Sequence, residues 1–443
     1  MTRKITRSAL AVALIGTVLS GCAGDGGSKR TTPTVGERVP VLTRIESGAK
    51  VDPSLAAVDV VLPAAQTNAD WAQVSNTASK AYGHLSLAEN PTRIWTSTIA
   101  GSSNRVRLAA APVVGGGKLI AVDTSGVVHA MDAATGASVW MHRMDIPSEL
   151  SGSAFGGGAS IEGDRVFATN GVGEVIVLDA NTGAEIWKVQ PAGPLRGSPT
   201  VAFGQIFVMT QDNQIFALNA SDGEQIWQES GSATQAGVFG VAAPAAGQGS
   251  VIAGYSSGEL SAYRYENGRV LWADALARTS ISTEVGAISD IDADPIISDG
   301  RVYALGQGGR MAAYELLTGQ RIWELSLAGI STPAIAGEWI FTLTDDARLL
   351  AIARSSGRVR WMTQLQQYRK EKNRTGPIFW TGPVLAGGNL WVASSEGLLY
   401  KVSTGEGSAQ QYADLKQPIT VPPIVAGNTL YILDDSGRIS AFR

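Results

Sequence analysis

From about residue 95 the chain runs in short apolar stretches, with a turn signal roughly every 8–12 residues. One copy of this pattern is especially clear. Ser198-Pro199-Thr200-Val201 predicts a strand, opened by Pro199 at a place where no ladder donor is lost. Gly204 turns the chain into a second strand over Gln205–Thr210, and Gln211-Asp212-Asn213 turns it into a third over Gln214–Ala220. Ser221-Asp222-Gly223 leads into a fourth strand, which carries Trp227. Ile206 with Val208, and Ile215 with Ala217, recur at the period of two that a half-buried strand requires. Turns this frequent leave no room for helices of ordinary length.

The pattern repeats. A glycine stands four places before a tryptophan at Gly136/Trp140, Gly183/Trp187, Gly223/Trp227, Gly268/Trp272, Gly319/Trp323 and Gly357/Trp361, with 38 to 51 residues between successive tryptophans. The residue before Trp is aliphatic in every pair but the last, which has Arg360. A period of about 40–50 residues built from short strands predicts a β-propeller, one four-stranded antiparallel blade per repeat. Pro112, Pro199, Pro244, Pro295, Pro333, Pro383 and Pro423 open seven copies, and Gly158-Ala159-Ser160 takes that place in another, which makes eight. The seventh copy has Gly405, Gly407 and Tyr412 but no Trp, and the eighth stops at Ala441-Phe442-Arg443, where its outer strand is due. Arg93-Ile94-Trp95 predicts the missing strand, so that an N-terminal strand closes the ring. The expected fold is all-β, an eight-bladed propeller over residues 66–443. Trp95, Trp140, Trp187, Trp227, Trp272, Trp323 and Trp361 are read as structural, each ring packing between blades with its N–H on a carbonyl.

Composition narrows the function. A net charge of −4 and the lack of a long basic run argue against a nucleic-acid surface. One cysteine and three histidines exclude a disulfide framework and leave almost no basis for a Cys/His zinc site, so no metal or cofactor is expected. The amino terminus reads as an address. Arg3, Lys4 and Arg7 precede an apolar run over Ser8–Val18, too short to span a bilayer core of ~30 Å as a helix. Leu19-Ser20-Gly21-Cys22 is similar to a bacterial lipoprotein signal, and Cys22 is the chain's single cysteine. The resemblance implies a signal peptide over 1–21, with diacylglyceryl and palmitate on Cys22. Ala23, where an inner-membrane retention signal has Asp, favours the outer membrane on its periplasmic face. The Gly-, Ser- and Thr-rich stretch that follows predicts a flexible tether over 22–65.

The run Ala130-x-Asp132-Ala133-x-Thr135-Gly136-x-x-Val139-Trp140, nearly repeated at Val177–Trp187, resembles the quinoprotein (PQQ-like) repeat. That family includes PQQ-dependent alcohol dehydrogenases and also the non-enzymatic BamB family, outer-membrane lipoproteins of the β-barrel assembly machinery. Resemblance to the BamB family covers the signal, the single propeller and two loops. Pro194-Leu195-Arg196-Gly197-Ser198-Pro199 matches a Leu-Arg pair, and Ser289-Asp290-Ile291-Asp292-Ala293-Asp294-Pro295 matches an Asp-x-Asp pair. The resemblance implies that Leu195, Arg196, Asp290 and Asp292 contact BamA through its POTRA region, alongside other subunits of the machinery and unfolded outer-membrane proteins. Gly193 replaces a family leucine, which removes part of the apolar contact. Both loops link an outer strand to the next inner strand and so share a face. On residue chemistry alone, Arg196 equally fits an internal salt bridge to an aspartate, and the aspartates equally fit turn caps. The rival reading is a PQQ-dependent quinoprotein dehydrogenase with the cofactor on the ring axis.

Other motifs lead nowhere catalytic. Gly254-Tyr255-Ser256-Ser257-Gly258 spells a hydrolase elbow, but it falls on a predicted hairpin and no histidine follows His142. Asp290-x-Asp292-x-Asp294 starts like a calcium loop, yet Pro295 takes its glycine position. Asp132 and Asp179 read as turn acceptors. The basic run Arg369-Lys370-Glu371-Lys372-Asn373-Arg374 reads as a solvated loop, with an anionic-lipid contact as the alternative.

Overall fold

The computed structural model describes residues 49–195, 197–232, 242–276 and 290–443. The expected signal peptide over 1–21, Cys22, the part of the expected tether up to residue 48 and Arg196 lie outside the described residues. Eight four-stranded antiparallel sheets form the blades of a propeller, with one further two-stranded hairpin. Blade 3 consists of Thr200–Ala202, Gln205–Met209, Gln214–Asn219 and Gln225–Ser230, within a residue or two of expectation apart from its later start. Blade 8 closes as predicted. Arg93–Thr98 pairs with Arg438–Phe442, with Trp95 opposite Ala441, and backbone bonds between Thr92 and Arg443 seal the end of the ladder. Closure leaves the ring without the open seam that would template aggregation.

Each repeat tryptophan lies on the glycine of the following blade. A Cβ built on Gly319 would come 2.5 Å from Trp272 Cγ, and the same contact recurs between Trp95 and Gly136 and between Trp361 and Gly407. The indole N–H then donates across the blade boundary: Trp140 to Ala180 O at 2.9 Å, Trp272 to Leu316 O at 2.7 Å, and Trp361 to Thr404 O at 2.8 Å. Trp187 Nε1 is buried with no acceptor among the described residues. The spacing of glycine to tryptophan is therefore a relay, in which each glycine receives the preceding blade's ring. The aliphatic residue before Trp has a separate explanation. Val139, Ile186, Ile226, Leu271 and Ile322 are each skipped in the pairing register, as β-bulges that turn the next side chain inward. That places them on the outer rim, where they are exposed.

Gly319→Ala is expected to cost about 2–4 kcal/mol, because a φ of +69° and the Trp272 ring both oppose a side chain. Gly300→Ala has a similar φ, +71°, but open space around it, so it loses only the backbone part, about 1 kcal/mol. Denaturant midpoints for the two variants, read against the parent, check the difference.

Candidate functional site: the ring axis and the face around it

The innermost strand of a blade leaves one row of backbone groups unpaired toward the axis, and buried groups of this kind require partners. Residues 66–87 supply them. Trp71 exchanges backbone bonds with Val114 of blade 1, Ala72 O accepts from Ile161 N of blade 2, and the Gln73 side chain brackets Val201 of blade 3. Ala78 O and Ser79 O accept from Ala246 N and Ile297 N of blades 4 and 5. Leu85 pairs with blade 7 around Leu385 and Gly387, and Asn68 binds blade 8 at Val425 and Gly427. One segment thus plugs the axis by serving seven inner strands. Sequence reasoning missed it, because 66–87 shows no periodicity, although Trp71 and Tyr82 were aromatic signals ahead of the first blade.

Residues 49–65, expected in the flexible tether, are also docked. Val51 bridges Val359 at the outer edge of blade 6, Arg360 Nε donates to Val58 O at 2.7 Å, and His84 bonds Pro63 O. Among the described residues the chain is thus already held against the propeller ahead of residue 66.

Lys80 locks the plug. It is fully buried, donating to Thr200 Oγ1 at 3.0 Å and to Val74 O at 3.3 Å. Burial pushes its ammonium down to about 8, against the attraction of Asp294. Asp294 in turn accepts from Ser75 Oγ and Ala243 N, both at 2.8 Å.

Above the plug the axis opens as a cavity of about 460 Å³. Its walls are the segments that lead into the inner strands: Arg107–Pro112 for blade 1, Ser198 for blade 3, Asp292 and Asp294 for blade 5, Ile330–Thr332 for blade 6, Phe379–Val384 for blade 7, and Ile419–Ile424 for blade 8. These connections share a face, as the antiparallel blade requires. The Leu195-Arg196 loop and the Asp290-x-Asp292 loop both reach this cavity, through Ser198 and Asp292.

The structure corrects how the predicted contact residues are presented. Leu195 is fully buried, packed with Phe167, Val201 and Phe216 and bridged to Thr210, so it pins its loop to blade 3 and offers no apolar surface. Asp290 is fully buried and Asp292 nearly so, because the loop dips between blades 4 and 5, with Ile291 N on Tyr255 O and Gln307 N on Asp290 O. Charge reversal at Asp290 would place a cation in the interior, so it is not a surface test. Asp132 and Asp179 cap turns, each accepting from two backbone N–H groups and a threonine hydroxyl. Ser256 sits on the hairpin turn and donates its N–H to Asn213 Oδ1, without the strand-to-helix geometry of an elbow.

PQQ is a flat tricarboxylate, so its site requires several cationic donors around a planar slot. The cavity lining instead brings the carboxylates of Asp292 and Asp294, many prolines, and Arg107 as the one cation among the described lining residues. No group of carboxylates, histidines or cysteines arranged to hold a metal ion occurs among the described residues. The residues present do not fit the cofactor.

Comparison with known proteins agrees with this geometry. A family model described as outer membrane protein assembly factor BamB matches residues 76–152 and 125–363. The chain is 28% identical over 359 residues to the assembly factor BamB of Yersinia pestis, covering 80% of this chain and 89% of the relative. It is 26% identical over 287 residues to that of Escherichia coli K12, covering 55% of this chain and 71% of the relative. The BamB structure from Moraxella catarrhalis superposes with a TM-score of 0.67 at 22% identity, covering 80% of this chain and 99% of that one. Quinohemoprotein alcohol dehydrogenase from Comamonas testosteroni reaches 0.68 at 13% identity over 89% of this chain and 82% of its own, a likeness of fold alone. With the repeat, the ring closure and this match in agreement, the chain belongs to the BamB family of outer membrane protein assembly factors.

Proposed function

We propose that the chain is a non-catalytic scaffold of the β-barrel assembly machinery, held by lipid on Cys22 at the periplasmic face of the outer membrane. In this reading it binds the POTRA region of BamA through the loop that carries Arg196. The observation behind it is the convergence of the 190–199 and 290–295 loops on one face of a ring whose axis the chain's own residues 66–87 fill. Leu195, Asp290 and Asp292 act from within, fixing the backbone on either side of the contact, and Arg196 supplies the planar donor to the partner. The plug and the poor fit to a tricarboxylate favour binding over turnover.

Affinity purification of the native lipoprotein in detergent tests this. The expected companion is a POTRA-containing barrel protein, with recovery falling about tenfold or more for Arg196→Glu while the melting temperature is unchanged. Equal recovery by the variant would take Arg196 out of the contact. A solitary protein that takes up PQQ and calcium and reduces an artificial electron acceptor would establish the dehydrogenase instead.

A further inference from the structure

The axial cavity has a second property, independent of the BamA contact. Its volume of about 460 Å³ lies within the range of ligand pockets, and its surfaces are mostly apolar and aromatic: Trp71 and Tyr82 on the plug, with Trp380 and several prolines around them. Two large apolar side chains stand at the mouth without cover among the described residues, Phe379 at 65% exposure and Ile330 at 48%. Scattered exposed apolar side chains are ordinary on a protein surface, but a pair on the rim of an apolar cavity forms a continuous path into it.

The surroundings of the mouth are charged. Immediately before Phe379 the chain forms a hairpin, Tyr368–Lys370 against Thr375–Pro377, with its base tied to the cavity wall by Trp380 Nε1 on Gln366 O at 2.8 Å. Arg369 of this hairpin is engaged by Glu396, whereas Lys370, Lys372 and Arg374 are exposed with no ion pair among the described residues. Thr375, which pairs with Lys370, is four residues or about 13 Å of strand from Phe379; Arg374 is one residue further, and Lys372 stands at the hairpin tip. Arg107 adds a cation at the rim itself. Carboxylates stand here too: Asp292 and Asp294 line the cavity wall, and Glu371 in the hairpin accepts from Gln367 N and Tyr368 N, so the cations free to meet a ligand are the outward ones of the hairpin.

The geometry points to a peptide-binding site: an extended segment with acidic flanks inserts one aromatic side chain past Phe379 and Ile330 into the axial cavity, its acids meeting Lys370, Lys372 and Arg374. The site does not depend on the Arg196 contact, and each can fail alone.

The full-length lipoprotein in detergent, titrated into a fluorescent nine-residue peptide with one central Trp among Asp and Glu, tests the site by anisotropy, with empty micelles as the blank. Saturable binding is expected, weakened roughly tenfold or more when the peptide Trp becomes Ala, the loss due to one unburied aromatic ring. Phe379→Glu with Ile330→Glu should weaken it as much at an unchanged melting temperature, since both side chains are exposed. Reversing Lys370, Lys372 and Arg374 to Glu should weaken it severalfold at low salt and hardly at all at high salt. No saturable binding, or equal affinity in the Phe379/Ile330 variant, overturns the site. Binding of free N-acetyl-tryptophanamide as tightly as the peptide would make the cavity a small-molecule pocket and overturn the peptide. Self-association of the parent that the Phe379/Ile330 variant abolishes would reassign the mouth to a second copy of the chain. Peptide binding that persists in Arg196→Glu, whatever happens to BamA recovery, separates the two sites.

Discussion

A chain that ends at Gly437 is expected not to fold. The missing strand, Arg438–Phe442, is the third of blade 8 and lies between Arg93–Thr98 and Thr429–Leu433. Its loss strips the partner from both neighbours at once. Ile439 and Ala441 are fully buried and Phe442 nearly so, and the two large side chains alone forfeit about 3–6 kcal/mol of burial. That is comparable to the whole net stability of many domains, before any ladder bond is counted. The opened ring also exposes two unpaired edges, which favours aggregation over a loosened native state. The truncated chain should elute as aggregate and show no cooperative loss of near-ultraviolet tryptophan dichroism on heating. Ser440→Pro is the milder version: it removes one N–H from a buried central strand and should cost about 3 kcal/mol or more while leaving a measurable transition. A truncated chain that melts like the parent would show that the N-terminal strand is not what closes the ring.

Lys80→Met should be nearly as damaging, with a distinctive pH signature. The substitution keeps the length and apolar body of the side chain but removes the donors to Thr200 Oγ1 and Val74 O, and leaves Asp294 without its nearby cation. Breaking a buried charged arrangement from one side typically costs about 3–5 kcal/mol. The parent carries a further term. Lys80 is a base whose pKa falls from 10.5 unfolded to about 8 folded, so between those values the unfolded chain binds more protons. Stability from this group therefore rises with pH across that window, at up to about 1.4 kcal/mol per unit. The gap between parent and variant should widen between pH 8 and pH 10, by about 2 kcal/mol as a ceiling. Paired urea titrations at pH 7, 8, 9 and 10 measure it. A gap that stays constant or narrows would show that Lys80 titrates normally and that the plug does not seal it from water.

What could be read in advance was what repeats. Glycine and tryptophan four apart, with proline before seven of the eight inner strands, announce the same local solution again and again, so the eight blades and the closing strand at Trp95 follow from spacing alone. The plug does not repeat. Asn68, Trp71, Gln73, Ala78 and Leu85 each meet a different blade, by bonds that mostly use the backbone, so no side-chain period marks them. The same limit explains the site. Leu195, Asp290 and Asp292 were legible as residues on the right loops, but orientation depends on how each loop packs on blades far away in sequence. Leu195 faces the core of blade 3, and Asp290 faces the interior beside Gln307. The bulges show the reverse case: the aliphatic residue before each Trp resembles a core position and lies on the rim.

The plug also changes what kind of object the ring is. Proteins built from repeats behave almost as one-dimensional chains, in which each unit senses only its neighbours and melting can begin anywhere and spread. Here one stretch of 22 residues is bonded to seven of the eight units, so a blade cannot loosen without releasing backbone groups that hold the others in place. The nearest-neighbour sum gains a term shared by all members, and partial opening becomes costly relative to complete opening. Amide exchange in the inner strands should therefore report a single free energy around the whole ring, where a plain stack of blades would show a graded series.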